Sequence, residues 1–166
     1  MAELVLRRAS KSRVPRLQGE HVNALELIKH DHDRLRQLFD DALASDDTAV
    51  RASVIHAIRS ELMAHERMEE DVFYPALRSA NQKAKEIVLE GFEEHHVIDI
   101  ILDELVGVPE DAEVWQAKLK VLRENLDHHM KEEEGEMFKR ARQAMSQDTL
   151  DELGTKMEQV KTAASA

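Results

Sequence analysis

From about His21 onward, apolar residues return every three or four positions, the spacing of one face of an α-helix. Leu25, Ile28, Leu35 and Phe39 form the first stripe, and Ser45-Asp46-Asp47-Thr48 follows as a turn and N-cap cluster. Val54, Ile58, Leu62, Val72 and Ala76 make the second stripe. Pro75, late in it, is expected to kink the helix or hasten its end. Ser79-Ala80-Asn81-Gln82 reads as the next break, with Ser79 and Gln82 at capping-box spacing. The third stripe is Ile87, Gly91, Ile98, Leu102 and Leu105. Gly107-Val108-Pro109 closes it, with Pro109 suited to the first turn of a new helix. Trp115, Leu119, Leu122, Leu126 and Met137 form the fourth. Thr149 and Glu152, at capping-box spacing, open a shorter fifth helix through Leu150, Leu153, Met157 and Val160. Strand-like alternation is missing, and short connections force neighbouring helices to alternate in direction. The predicted fold is all-α: an up-down-up-down four-helix bundle with a short fifth C-terminal helix.

Composition agrees with long helices: of 166 residues, 42% are hydrophobic, 34% are charged, five are Gly and three Pro. The length suits one domain, placed at 19–162, behind a basic N-terminal tail at 1–18 that contains Arg7, Arg8, Lys11, Arg13 and Arg16. A formal net charge of −11 disfavours nucleic acid as a partner and leaves carboxylates to spare for metal. With no cysteine, thiolate metal sites and disulfides are excluded. No apolar run is long enough for a membrane span or a secretory leader, so a cytoplasmic location is expected, with no membrane partner. A protein partner could dock on the basic tail.

Nine histidines change the picture. His32, His65, His95 and His129 each continue an apolar stripe, one per long helix, and so point at the bundle axis. A buried imidazole without a partner costs about 1–3 kcal/mol. Four such rings would consume much of a small domain's stability, unless a shared cation compensates them. Measured from the neighbouring turns, the four rings differ in depth by roughly 6–10 Å at 1.5 Å per residue, which suits two ions better than one. Glu69 follows His65, and Glu133 follows His129, at the same four-residue spacing, and both interrupt core stripes. Glu66, Glu132 and Glu136 are assigned to the solvated face. His30 and His128 are expected in solvent. His96 shares a side with Phe92 and Ile100, as a packed core residue or a partner of a ligand. His21 and His56 lack a carboxylate at ligand spacing. Imidazole with carboxylate suits iron, manganese or zinc.

These segments, KHDHDRLRQLF, MAHERMEEDVFYPAL, FEEHHVIDIILDEL and LDHHMKEEEGEMF, resemble the hemerythrin HHE cation-binding family in order and internal spacing over residues 20–162. The resemblance implies a non-haem di-iron centre, oxo- or hydroxo-bridged, held by His32, His65, Glu69, His95, His129 and Glu133. Ligand type alone still admits zinc or manganese. Oxygen-carrying hemerythrins have HxxxH in the third helix, where this chain has Asp99 four residues after His95. They also use an aspartate five residues past the fourth-helix histidine, where this chain has Glu134. More carboxylate and less imidazole favour the ferric state. The implied role is therefore handling or sensing oxygen, peroxide or nitric oxide, or sequestering iron, rather than reversible oxygen carriage. Glu70, Asp99 and Glu134 are further candidates to supplement that set. A ferritin-like arrangement needs ExxH on two helices, and only Glu93 to His96 offers it. The alternative of a different class is a metal-responsive regulatory or partner-binding helical module. No separate substrate-binding constellation is visible, which leaves turnover open.

Overall fold

A computed structural model of the chain describes residues 22–164, so the basic segment 1–18 lies outside the described residues. The first helix, α1 (Ala24–Ala44), opens at Asn23, whose side-chain oxygen accepts from the Leu25 backbone N–H at 2.8 Å. Asp47 caps α2 (Thr48–Met68) in the same way, accepting from Ala49 and Val50. The chain then passes through a π-helical turn (Glu69–Phe73) straight into α3 (Tyr74–Ala80). A 3-10 turn at Gln82–Ala84 leads into α4 (Lys85–Val106). After the loop, α5 (Glu113–Glu132) runs through a second π-helical turn (Glu133–Met137) into α6 (Phe138–Ala144), and α7 (Gln147–Ala164) follows.

The predicted fold class holds, and three predicted caps move. Asn81, not Ser79, makes the break after α3, accepting from the Lys83 N–H at 3.0 Å, while Ser79 lies inside the helix. Pro109 belongs to a turn, in which its carbonyl accepts from the Ala112 N–H at 2.9 Å, and α5 starts only at Glu113. Ser146 rather than Thr149 serves α7, accepting from the Thr149 N–H at 3.2 Å, so this helix is longer than expected. Pro75 lies in the first turn of α3, which continues to Ala80. It follows the π turn, where Tyr74 N–H reaches back five residues to the Glu69 carbonyl. The second π turn, in which Phe138 N–H reaches Glu133, contains no proline. The widened turn therefore has another cause, and both turns begin at the glutamates that interrupt the core.

Two apolar clusters fill the bundle. One joins Leu35, Phe39, Ile58, Leu62, Ile98 and Trp115; the other joins Ile28, Met68, Phe73, Tyr74, Met137 and Phe138 with the inner face of α7. Between them, at mid-height, lie His32, His65, Glu69, His95, His129 and Glu133, all buried. The apolar clusters exclude water from both sides of this polar layer. Helix α7 closes over α1 and α2, and Gly154 lets it approach: a Cβ there would lie 1.9 Å from the Val22 carbonyl oxygen. Among the described residues, no helix is long and apolar enough to cross a membrane.

Candidate metal centre

Helical spacing sets which atoms meet. His65 and Glu69, one turn apart, bring Nε2 and Oε1 to 3.1 Å. Oε2 of the same glutamate lies 3.3 Å from His95 Nε2. Glu133 Oε2 lies 3.1 Å from His32 Nε2 and 3.5 Å from His129 Nε2. His95 Nε2 and His129 Nε2 face each other at 3.0 Å. The six sequence-predicted residues thus converge as two overlapping groups. His32, His65, Glu69 and Glu133 form one; Glu69, His95 and His129 form the other. Glu69 belongs to both.

Each ring turns its other nitrogen outward to a carboxylate. His32 Nδ1 is 2.8 Å from Glu134, His95 Nδ1 2.9 Å from Glu70 and His129 Nδ1 2.8 Å from Glu94. His65 Nδ1 is 3.4 Å from Asp31, which is in turn paired with Lys161 of α7. Arg36 holds Glu134 at 2.8 Å. An Nδ1–H donated outward leaves the lone pair of an uncharged imidazole on Nε2, aimed inward. The inner atoms are then all acceptors. Consistent with this, His65 Nε2 and both oxygens of Glu69 are buried with no hydrogen-bond partner. Four imidazoles and two carboxylates brought this close together form a donor set suited to a cation.

Without a cation, protons take its part. Burial opposes a charged His32, yet hydrogen bonds to Glu133 and Glu134 outweigh it and push the ring up to about 9. His95 is raised well above its usual value by Glu69 and Glu70, again against burial. One ring in each group thus holds a proton. Burial and the neighbouring charge of His32 push His65 down to about 4 despite Asp31. Of the two inner carboxyls, burial and repulsion from Glu133 raise Glu69, whereas the histidines around Glu133 hold it low in spite of its burial.

The layer has an internal correspondence. Asp31-His32, His65 and Glu69-Glu70 on the first two long helices match Glu94-His95, His129 and Glu133-Glu134 on the next two. In each half the residue before the first histidine serves the Nδ1 of the second, and the glutamate after the ligand-spaced one crosses to the other half. Tyr74 breaks the match. Its hydroxyl donates to Glu133 Oε1 at 2.8 Å and lies 3.3 Å from His95 Nε2, whereas the equivalent position holds Phe138. Gly91 makes room for it: a Cβ there would sit 2.9 Å from the Tyr74 hydroxyl.

Other expectations divide. His30 and His128 are exposed as predicted, and Glu132 and Glu136 remain at the surface. Glu66 is not on a solvated face: it is only 6% exposed, because the helix turns it toward α4. His96 is exposed rather than packed. Asp99 is exposed and joins neither group; Glu70 and Glu134 act on Nδ1 atoms, outside the inner six. Spacing alone did not reveal Asp31, Glu94 or Tyr74. The acid–histidine and Glu-Glu pairs, repeated in both halves, were the available signal.

Comparison with known proteins points the same way. The hemerythrin HHE cation binding domain matches residues 23–141. A solved hemerythrin HHE cation-binding-domain-containing protein from Mycobacterium kansasii superposes with a TM-score of 0.74 at 25% identity, covering 86% of this chain and 89% of that one. The chain is also 22% identical over 143 residues to a DNA nickase of Nostoc sp., a stretch covering 86% of this chain but only 40% of that protein.

Proposed function

We propose, from the premise that the chain belongs to the hemerythrin HHE cation-binding domain family, that it holds two iron ions and uses them on a small oxidant or diatomic molecule, or to sequester iron, rather than for reversible oxygen carriage. The observation carrying this reading is the inward convergence of six buried side chains in two groups that share Glu69, with His65 Nε2 and both Glu69 oxygens left without a hydrogen-bond partner. His32, His65, Glu69 and Glu133 would hold one ion, and His95, His129 and Glu69 the other. Bound iron would supply one-electron redox change and a position for a dioxygen, peroxide or nitric oxide ligand.

The chain's own residues supply the rest. The Nδ1 carboxylates fix the tautomer and ring angle of all four imidazoles and make them stronger donors. Six carboxylates around four imidazoles leave the layer strongly anionic, the complement of two cations in a high oxidation state. Asp99 points to solvent where oxygen carriers place another imidazole, which supports the reading against reversible carriage. Tyr74 keeps a hydroxyl donor inside the layer, on the side of His95. The apolar clusters above and below keep bulk water from the centre.

The nicking activity named for the Nostoc relative stays with that protein in this reading. This chain spans 40% of its length, and its net charge of −11 is repelled by phosphate. The test is metal analysis of protein purified from cells, with its visible spectrum and an oxygen isotherm. About two irons per chain, bleached by reductant and without full oxygen release under vacuum, is the expected outcome. Metal-free protein that takes up no iron, or oxygen fully released under vacuum, refutes it.

A further inference from the structure

A cleft of about 430 Å³ opens between α2 and α4 beside the polar layer, and Glu66, Glu70 and Asp99 line it. Its two arginines are already matched: Arg59 pairs with Asp103 at 2.9 Å and Arg67 with Asp71 at 3.2 Å. Burial pushes the Glu66 carboxyl up to about 9, so the net negative charge of the cleft comes from Glu70 and Asp99. Glu66 is the unusual member. It is buried, and its Oε1 has no hydrogen-bond partner, a costly state unless something else satisfies it. His95, Glu69, Glu70 and Asp99 all act electrostatically on the Glu66 carboxyl, so the cleft abuts the polar layer. Glu70 both lines the cleft and holds His95 Nδ1 at 2.9 Å.

We propose that this cleft is a loading site, where a divalent cation is captured by Asp99, Glu70 and Glu66 and passed to the Glu69–His95 end of the centre. This rests on the metal-centre reading above. Oxygen donors from three carboxylates suit a hard or borderline divalent ion arriving partly hydrated, and an anionic concavity concentrates such ions before binding. A second acidic group, Glu94, His128 and Glu132, lies between α4 and α5. It is the competing entry point, but His128 is 67% exposed, and none of its atoms is buried and unpartnered.

The experiment uses the full chain, stripped by a chelator and mixed with Co²⁺ in a stopped-flow instrument. The d–d bands report uptake over time, and elemental analysis gives the final content. Glu66→Gln with Asp99→Asn should slow loading on the order of tenfold at low salt, within the range of electrostatic steering. The difference should shrink as salt is added, while the final Co²⁺ content stays that of wild type. Asp99→Asn alone, at an exposed position, carries the test if the double variant folds poorly, and should slow loading severalfold. Loading at the wild-type rate, or slow loading in His128→Asn with Glu132→Gln instead, overturns the loading site. Wild-type protein that binds no Co²⁺ refutes the metal centre itself.

Discussion

Replacing Glu69 by Gln should act in opposite directions on the metal-free and the metal-loaded protein. In the metal-free chain both Glu69 oxygens are buried without partners, next to His65 Nε2 at 3.1 Å and His95 Nε2 at 3.3 Å. A buried unsatisfied group costs about 1–3 kcal/mol, and burial together with Glu133 disfavours the charge here. An amide has the same shape, no charge, and an NH₂ that can donate to one of those lone pairs. The metal-free variant should therefore gain about 1–3 kcal/mol, which is roughly 3–9 °C in melting temperature for a domain of this size. With metal present the sign reverses, because Glu69 alone belongs to both groups. At a metal concentration a hundredfold above the dissociation constant, each bound ion contributes about 2.7 kcal/mol. Loss of one ion removes that much, and loss of both about twice as much. Calorimetric scans of wild type and variant, each after chelation and after iron loading under argon, measure all four states. The reasoning fails if the substitution destabilises both forms alike, since Glu69 would then be an ordinary structural partner.

Other consequences can be checked separately. His65→Ala should retain at most about one ion per chain by elemental analysis; two would remove His65 from the ligand set. Loading at pH 7.5 should release about two to three protons per chain, because ligating imidazoles and carboxylates must be deprotonated and His32, His95 and Glu69 (about 8) are all raised; a pH-indicator titration in weak buffer reads this, and no release would contradict the protonated groups. In the metal-free chain the raised His32, usually near 6.5 and here about 9, contributes stability that is full below about 6.5 and fades as pH rises through about 9; His32→Gln should flatten that alkaline fall in urea melts, and an unchanged slope would count against it. Gly91→Ala should cost about 1–3 kcal/mol by pushing against the Tyr74 hydroxyl at 2.9 Å, whereas Gly135→Ala, with nothing within 4 Å of its new methyl, should be neutral or gain up to about 1 kcal/mol; equal effects would show that Gly91 is not kept for Tyr74.

The bundle and its inner residues were legible because both obey the helical period. His32, His65, His95 and His129 occupy positions that apolar residues would otherwise take, so a pattern of hydrophobic spacing locates them without coordinates. Caps were harder. Ser79, Pro109 and Thr149 each have a competitor within a few residues, and which side chain reaches a free N–H depends on backbone angles that spacing does not encode. Glu66 was misassigned because a run of acids looks solvated one residue at a time, and only the approach of α4 buries it.

The outer carboxylates were hidden for a more specific reason. Glu70 and Glu134 stand five residues after His65 and His129, which on a regular α-helix points them well away from those histidines. Each is instead the second residue of a π-helical turn, in which one extra residue is accommodated. The helix can then present two consecutive glutamates to the same polar layer, Glu69 inward and Glu70 onto His95 in one half, Glu133 inward and Glu134 onto His32 in the other. A wide turn weakens local hydrogen bonding, so its appearance at equivalent places in both halves, with a proline after one and none in the other, argues that the requirement comes from the site. The two turns allow one helix pair to hold the imidazoles of the other from both nitrogens. A strict i, i+4 reading finds the inner glutamates and misses their neighbours because the backbone leaves the regular helix at the point where the chemistry is assembled.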